Sequence, residues 1–466
     1  MMKNTNKRHL KFSRPALGRG FVAPRFSRGA YHFMRSVGKL YLRRFEGVSS
    51  VSLQHEKPLI NGFHSFFADN TRLILAFRHS AKMDASVLLY TISKLLGKSA
   101  KKQRLPMPEI PHVRFLDGKD VLNWAGTAAV WLFPRIGNIP VVNGESNRDS
   151  LSLLRSEIKS GRFPIALAPE GQVSYHMHHC SPIAPGTASL AKWGTESGKD
   201  VTIVPIVIGY RYANNFVDFV MDILGRWEKE TGISLNIDKS SKASGSEEPP
   251  LYSQQYIYKI LLEATHQTLL LLENFYHLQE QSKPEFTNSE NLKLRIARVC
   301  ESALHAAEQL VGIEPHGNWL DRVFRIRYKG MSNLYPEAFD PRKLHPFPRN
   351  IADFRSLEAR IYLRHSQIVD VLEYFDTGYI EPPCEPERYC EYALNLLDVI
   401  NRMNGGDINS RYNPGKIQAF VSAGEPISAN SFFSDDTNGK QKKAQNELSK
   451  EIHSKLDNLS KDLIIP

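Results

Sequence analysis

The sequence predicts an α/β fold, a mostly parallel sheet flanked by helices, with a large helical insertion and a basic N-terminal arm. Three observations lead to it. From about residue 50 to 210, short apolar runs alternate with amphipathic segments, the pattern of strands joined by crossover helices. After Tyr210 the text changes to long helical periodicity. The net charge of +11 is confined to residues 1–50, where 12 Lys or Arg stand against the single acid Glu46. The other 416 residues are neutral, so the basic excess belongs to the arm.

The expected elements follow in order. Tyr31 to Phe45 interleaves Phe33, Met34, Val37, Leu40, Tyr41 and Phe45 with Arg35, Lys39, Arg43 and Arg44. Helical spacing puts much of that apolar set on one face, as in a helix lying on an anionic membrane surface or packed on the body. Leu73–Phe77, Ile139–Val142, Pro164–Ala168 and Val201–Ile208 read as buried strands. Ala85–Leu96, Leu151–Lys159 and Thr187–Glu196 read as helices, the first with Val87, Leu88, Ile92 and Leu95 inward. Residues 236–250 form a Ser-, Lys- and Glu-rich linker, and helices follow over 254–279, 290–311, 352–375 and 386–403. Ile417–Ser422 is a strand again, and Leu448, Ile452, Leu456, Leu459 and Leu463 mark a C-terminal docking helix. The division is thus an arm (1–50), an α/β core (51–210), a helical insertion (211–415), a return strand (416–432) and an amphipathic tail (433–466).

Composition excludes several classes. With 41% hydrophobic and 23% charged residues, a chain of 466 can bury substantial cores. No run approaches the roughly 18 apolar residues of a spanning helix; Leu269–Leu272 is stopped by Glu273. The charged start reads as no secretory signal, and four scattered cysteines as a reducing compartment. The expected location is cytoplasmic, at the membrane periphery. Nucleic acid is not an expected partner, because the body has neither a charge excess nor a recognition motif.

Two strand ends carry chemistry. Arg78-His79-Ser80-Ala81-Lys82-Met83-Asp84 follows the first apolar strand. A neutral His there can take a proton from a hydroxyl if its tautomer is fixed. Asp84, in the first turn of the next helix, is placed to accept from the far ring nitrogen and to stabilise the imidazolium. A surface His beside an N-terminal helical Asp is the plainer alternative. Ala168-Pro169-Glu170-Gly171 ends another strand; Gly171 allows close approach of a ligand and Glu170 can accept from a hydroxyl, though such a turn is also ordinary. Open α/β sheets bind ligands at such ends. His176-Met177-His178-His179-Cys180 has metal-ligand types but no partner pair at finger spacing, and a polar loop over the acceptor site is the expectation.

The order His79-x4-Asp84, Gly137-Asn138-Ile139-Pro140-Val141, Pro169-Glu170-Gly171 and Val204-Pro205-Ile206 resembles the glycerolipid acyltransferase family. That family includes glycerol-3-phosphate and 1-acylglycerol-3-phosphate acyltransferases. Pro185–Ala191 and Gly424-Glu425-Pro426-Ile427 add to the resemblance, which covers roughly residues 35–210 and 415–430. It implies that His79 is the general base, Asp84 its orienting partner, and Glu170 and Gly171 part of the acceptor site. The donor would be an acyl-CoA or acyl-carrier-protein thioester, already activated, so no metal or bound cofactor is implied; the acceptor would be a lysophospholipid. Departures stand at the family's phosphate arginines: Asn143 in the second motif and Gln172-Val173-Ser174 after Gly171, with Arg78 where Asn is usual. If the acceptor carries phosphate, Arg78, Lys82, Arg135 or Arg148 must supply the charge. Otherwise the acceptor is of another kind, an amino lipid or a polar alcohol, or the fold serves as a non-catalytic membrane scaffold.

Overall fold

The computed structural model describes residues 14–141, 148–235, 250–278, 288–433 and 441–465. Asn143, the first 13 residues of the arm and nearly all of the 236–250 linker lie outside the described residues. The chain forms two compact units, one of residues 19–211 and 414–466, the other of residues 14–18 and 212–413.

The first unit is built on a mostly parallel, mixed sheet with flanking helices. In chain order it contains α1 (Arg28–Phe45), β1 (Val48–Gln54), α2 (Lys57–Phe67), β2 (Thr71–Phe77), α3 (Asp84–Tyr90) and α4 (Gly97–Lys102). Then come β3 (Arg114–Gly118), α5 (Val121–Trp124), α6 (Gly126–Ile136), β4 (Ile139–Val141), α7 (Arg148–Ser160), β5 (Ile165–Leu167), α8 (Gly186–Thr195) and β6 (Asp200–Arg211). The strand order is β1-β7-β6-β2-β5-β3-β4, where β7 is Ile417–Ala423, and β8 (Ile427–Ser428) pairs with β6 outside that path. Only β7 and β8 run antiparallel to β6; the remaining pairs are parallel. β2 is central and all seven of its residues are buried, as a strand covered on both faces requires.

Two strands escape the sequence pattern. β1, Val-Ser-Ser-Val-Ser-Leu-Gln, is a polar edge strand, and β3, Arg-Phe-Leu-Asp-Gly, has no apolar run. The helix expected over 85–96 begins at Asp84 and passes through a π-helical turn at Thr91–Leu96. One extra residue in that turn rotates the face, so Leu96 is buried where Leu95 was expected inward.

The arm needs a correction. The apolar residues of α1 do not form one face: Tyr31, Met34 and Leu42 are buried against the unit, whereas Phe33, Leu40, Tyr41 and Phe45 are exposed. The helix is a structural element of the α/β unit, packed on β1, α3 and α6. The C-terminal stripe has likewise joined this unit. α15 (Gln441–Lys461) buries Leu448, Ile452 and Leu456 against β6 and α8, and Leu463 comes so close to Gly209 that a β-carbon there would collide with it.

The second unit is helical: α9 (Phe216–Thr231), α10 (Pro250–Phe275), α11 (Ser289–Val311), α12 (Trp319–Leu334), α13 (Pro346–Leu372) and α14 (Pro386–Met403). Helices α9 and α12 are additional to those read from the sequence. α14 is its central helix, buried without interruption from Tyr389 to Ile400. Its buried Asp398 is matched by Arg402 at 3.2 Å and Arg411 at 2.9 Å. Among the described residues no helix is long and apolar enough to cross a membrane.

Because α15 covers the core face of the sheet, Ile452→Ala should destabilise the α/β unit by about 2–5 kcal/mol, read as a lower midpoint in denaturant unfolding. An unchanged midpoint would show that α15 is a dispensable tail.

Candidate active site

The site starts where β2 ends. The Arg78 amide still bonds to the Ile206 carbonyl of β6 at 2.9 Å, and the chain then turns through residues 79–83 into α3. Asp84 opens that helix, fully buried, in the first turn where a negative charge is favoured. Its Oδ2 receives the Ala81 amide at 2.8 Å and stands 3.0 Å from His79 Nδ1; its Oδ1 receives a short hydrogen bond from the Tyr210 hydroxyl on β6.

An ionised carboxylate only accepts, so the proton on this contact belongs to Nδ1. In the neutral imidazole that leaves Nε2 with its lone pair. The His79 side chain is 22% exposed, so the free nitrogen can meet a ligand while Asp84 stays dry. The Phe77 ring sits edge-on to the imidazole at 5.9 Å. The sequence-expected pair is therefore brought together in the orientation a general base needs.

Arg78 and Glu170 are placed otherwise than the sequence suggested. Both were expected to face the acceptor; they face each other, with side chains 1% and 0% exposed. Arg78 Nε donates to Glu170 Oε1 at 3.0 Å and Nη2 to Oε2 at 3.1 Å, a bidentate pair. The same guanidinium also donates to Ser174 Oγ, the His176 carbonyl and Ser460 Oγ of α15. A cation so enclosed has no donors to offer a substrate phosphate. Glu170 in turn accepts the His79 amide at 2.8 Å and the Ser181 amide at 3.1 Å. Burial would raise its pKa, but the charge and hydrogen bonds of Arg78 and these two amides prevail and hold it below the usual range.

The consequence is positional. Glu170 grips the amide side of His79 and the Ser174 amide grips its carbonyl at 2.8 Å, so residues 170–174 fix the backbone of His79 from both sides. Gly171 makes this turn possible with φ +78°, a conformation that costs most side chains strain.

Arg135 donates to the Trp131 carbonyl at 2.8 Å and lies 5.0 Å from that indole's centre. Arg148 is exposed at the start of α7. Neither is among the hydrogen-bond partners of His79, Asp84 or Glu170. In the His-rich run, expected as a polar loop, His176 and His178 are buried and the run lies against α15. The Cys180 amide bonds to Asp457 at 2.9 Å, and His179 lies 3.5 Å from the same carboxylate. Burial pushes the Cys180 thiol up to about 12, so it is no thiolate nucleophile at neutral pH. Among the described residues no group of three or more His, Cys, Asp or Glu side chains is arranged to hold a metal ion.

Tyr210, Ser174 and Ser460 complete the site and were not anticipated. Tyr210 closes an apolar strand run, and a buried Tyr in that position needs a hydroxyl partner, which was the available signal. Ser174 and Ser460 gave none, because their partner is remote in sequence. Neither a protein-family model nor a curated protein matches this chain.

Glu170→Gln removes one partner of a dry ion pair and should cost about 3–5 kcal/mol in denaturant unfolding. The native pKa of Glu170 is depressed, so its contribution is full above its ordinary 4.5 and fades as pH falls through the native value. The gap between wild type and variant should therefore narrow in acid. A gap that widens in acid would refute the pairing.

Proposed function

We propose that this protein is an acyltransferase that moves an acyl group from an acyl-CoA or acyl-carrier-protein thioester to the hydroxyl of a lysophospholipid. The observation that carries this reading is the buried Asp84 carboxylate 3.0 Å from Nδ1 of a partly exposed His79, an arrangement that leaves Nε2 as the outer nitrogen. The motif order described above supports the same reaction. His79 Nε2 takes the proton as the acceptor oxygen attacks the thioester carbonyl, and Asp84 stabilises the imidazolium. The C–S bond then breaks, the thiolate leaves, and the proton passes from the imidazolium to that sulfur. The products are an ester and a free thiol.

The resemblance points to 1-acylglycerol-3-phosphate as acceptor. A second reading, an acceptor without a phosphate monoester such as an amino lipid or polar alcohol, is favoured by the enclosure of Arg78. A protein that kept this fold without chemistry would leave an open, oriented base unexplained.

Lipid substrates also account for the outward face of α1. Phe33, Leu40 and Phe45 are 55–67% exposed beside Arg35, Lys39, Arg43 and Arg44, and Phe33 lies against the exposed Trp131 of α6. Aromatic and basic side chains together suit an anionic membrane surface.

Two measurements test this. Purified protein given labelled acyl thioester and a lysolipid panel should form diacyl product, and His79→Ala should lose on the order of a hundred-fold or more in rate while remaining folded. Near-wild-type turnover by that variant would exclude His79 as base; no product with any hydroxyl acceptor would favour a scaffold. Separately, reversing Arg43 and Arg44 to Glu should weaken sedimentation with anionic vesicles by roughly ten-fold or more at low salt. Equal sedimentation would clear α1 of an anchoring role.

A further inference from the structure

The sheet places one further ionisable group at the end of a nearby strand, β3. Strand β5 lies between β2 and β3, and its Ala166 aligns with Leu75 of β2 and with Phe115 of β3. Two residues further along each strand stand Phe77 and Asp117, at the C-terminal ends of β2 and β3. Side chains alternate along a strand, so Asp117 shares the face of Phe115, whose ring lies 6.0 Å from that of Phe77. The neighbours on the opposite face behave accordingly: Arg114 reaches Glu157 of α7 at 3.3 Å, and Leu116 packs on the core beneath α7, α8 and α15. The Phe77 ring thus neighbours both the His79 imidazole and the Phe115 ring, the latter on the face that Asp117 shares.

The Asp117 carboxyl is unusual in its surroundings. Its Oδ1 is shielded from solvent and has no hydrogen-bond partner among the described residues. Burial pushes its pKa up to about 7, with a backbone hydrogen bond opposing. A buried, unsatisfied carboxyl oxygen costs stability, and one that persists at the C-terminal end of a strand in this sheet is suited to a ligand that satisfies it.

We propose that Asp117 is a specificity-determining residue of the acceptor pocket, and that the acceptor's head group offers it a hydrogen-bond donor, a hydroxyl or an ammonium, rather than a phosphate monoester. This rests on the acyl-transfer reading. The acceptor lies across Phe77 with its reacting hydroxyl at His79 Nε2 and its head-group donor at Asp117 Oδ1. A phosphate monoester in that place would set two acceptor groups, both able to be negative, against each other, and Arg78 is committed to Glu170.

The test compares kcat/KM for monoacylglycerol, 1-acylglycerol-3-phosphoethanolamine and 1-acylglycerol-3-phosphate at fixed acyl-CoA, in full-length wild type and Asp117→Asn. Wild type should favour the two acceptors with a head-group donor. In Asp117→Asn the preference for them over 1-acylglycerol-3-phosphate should fall ten-fold or more, with the KM for acyl-CoA unchanged. Asp117→Ser, with its small polar side chain, gives a second reading if the Asn variant unfolds. Active variants whose preference stays within two-fold of wild type would overturn the role of Asp117 alone. A wild type that acylates no hydroxyl acceptor would remove the acyl-transfer reading and this inference with it.

Discussion

The bidentate contact between Arg78 and Glu170 is what the rest of the site hangs on. It joins the end of β2 to the turn after β5, two segments 92 residues apart, in a place shielded from solvent. A buried pair of this kind adds little net stability compared with well-packed apolar groups, because both charges lose hydration. Its value is directional. Four hydrogen bonds converge on Glu170, and one of them is the backbone amide of His79. His79 cannot drift without breaking its amide contact with the buried Glu170 carboxylate.

From that anchor the chemistry follows in layers. The strand fixes the Arg78 backbone, the ion pair fixes the His79 backbone, and Asp84 fixes the ring. Asp84 is in turn held by the Ala81 amide and the Tyr210 hydroxyl, so its carboxylate is oriented before any substrate arrives. Helix α15 seals the reverse side through Ser460 and Asp457. The arrangement turns one nitrogen of one imidazole toward the open side and keeps the rest of the network dry.

What the sequence disclosed was local. His79 and Asp84 are five residues apart across a strand-to-helix turn, so their meeting was legible from spacing. The apolar runs of β2 and β6 and the stripe of α15 were legible from periodicity, as was the coarse α/β class. Arg78 with Glu170 was not, because an ion pair between distant segments leaves no local pattern. The two residues therefore read as substrate ligands when each was considered alone. β1 and β3 lack apolar runs, one being a polar edge and the other carrying Arg, Asp and Gly. The face of α1 was misread because its apolar residues divide between the core and the solvent, which periodicity alone does not separate.

The central claim is that, in the folded chain, neutral His79 carries its proton on Nδ1, against Asp84, and leaves Nε2 bare. Nitrogen-15 NMR of the imidazole side chains measures this directly. The His79 resonance, assigned by its disappearance in His79→Gln, is separated from those of the other 15 of the chain's 16 histidines. The account predicts that neutral His79 has a pyrrole-type Nδ1 coupled to its proton and a pyridine-type Nε2. A His79 whose predominant neutral form carries the proton on Nε2 would contradict it, since that nitrogen could not then accept a proton from an acceptor hydroxyl.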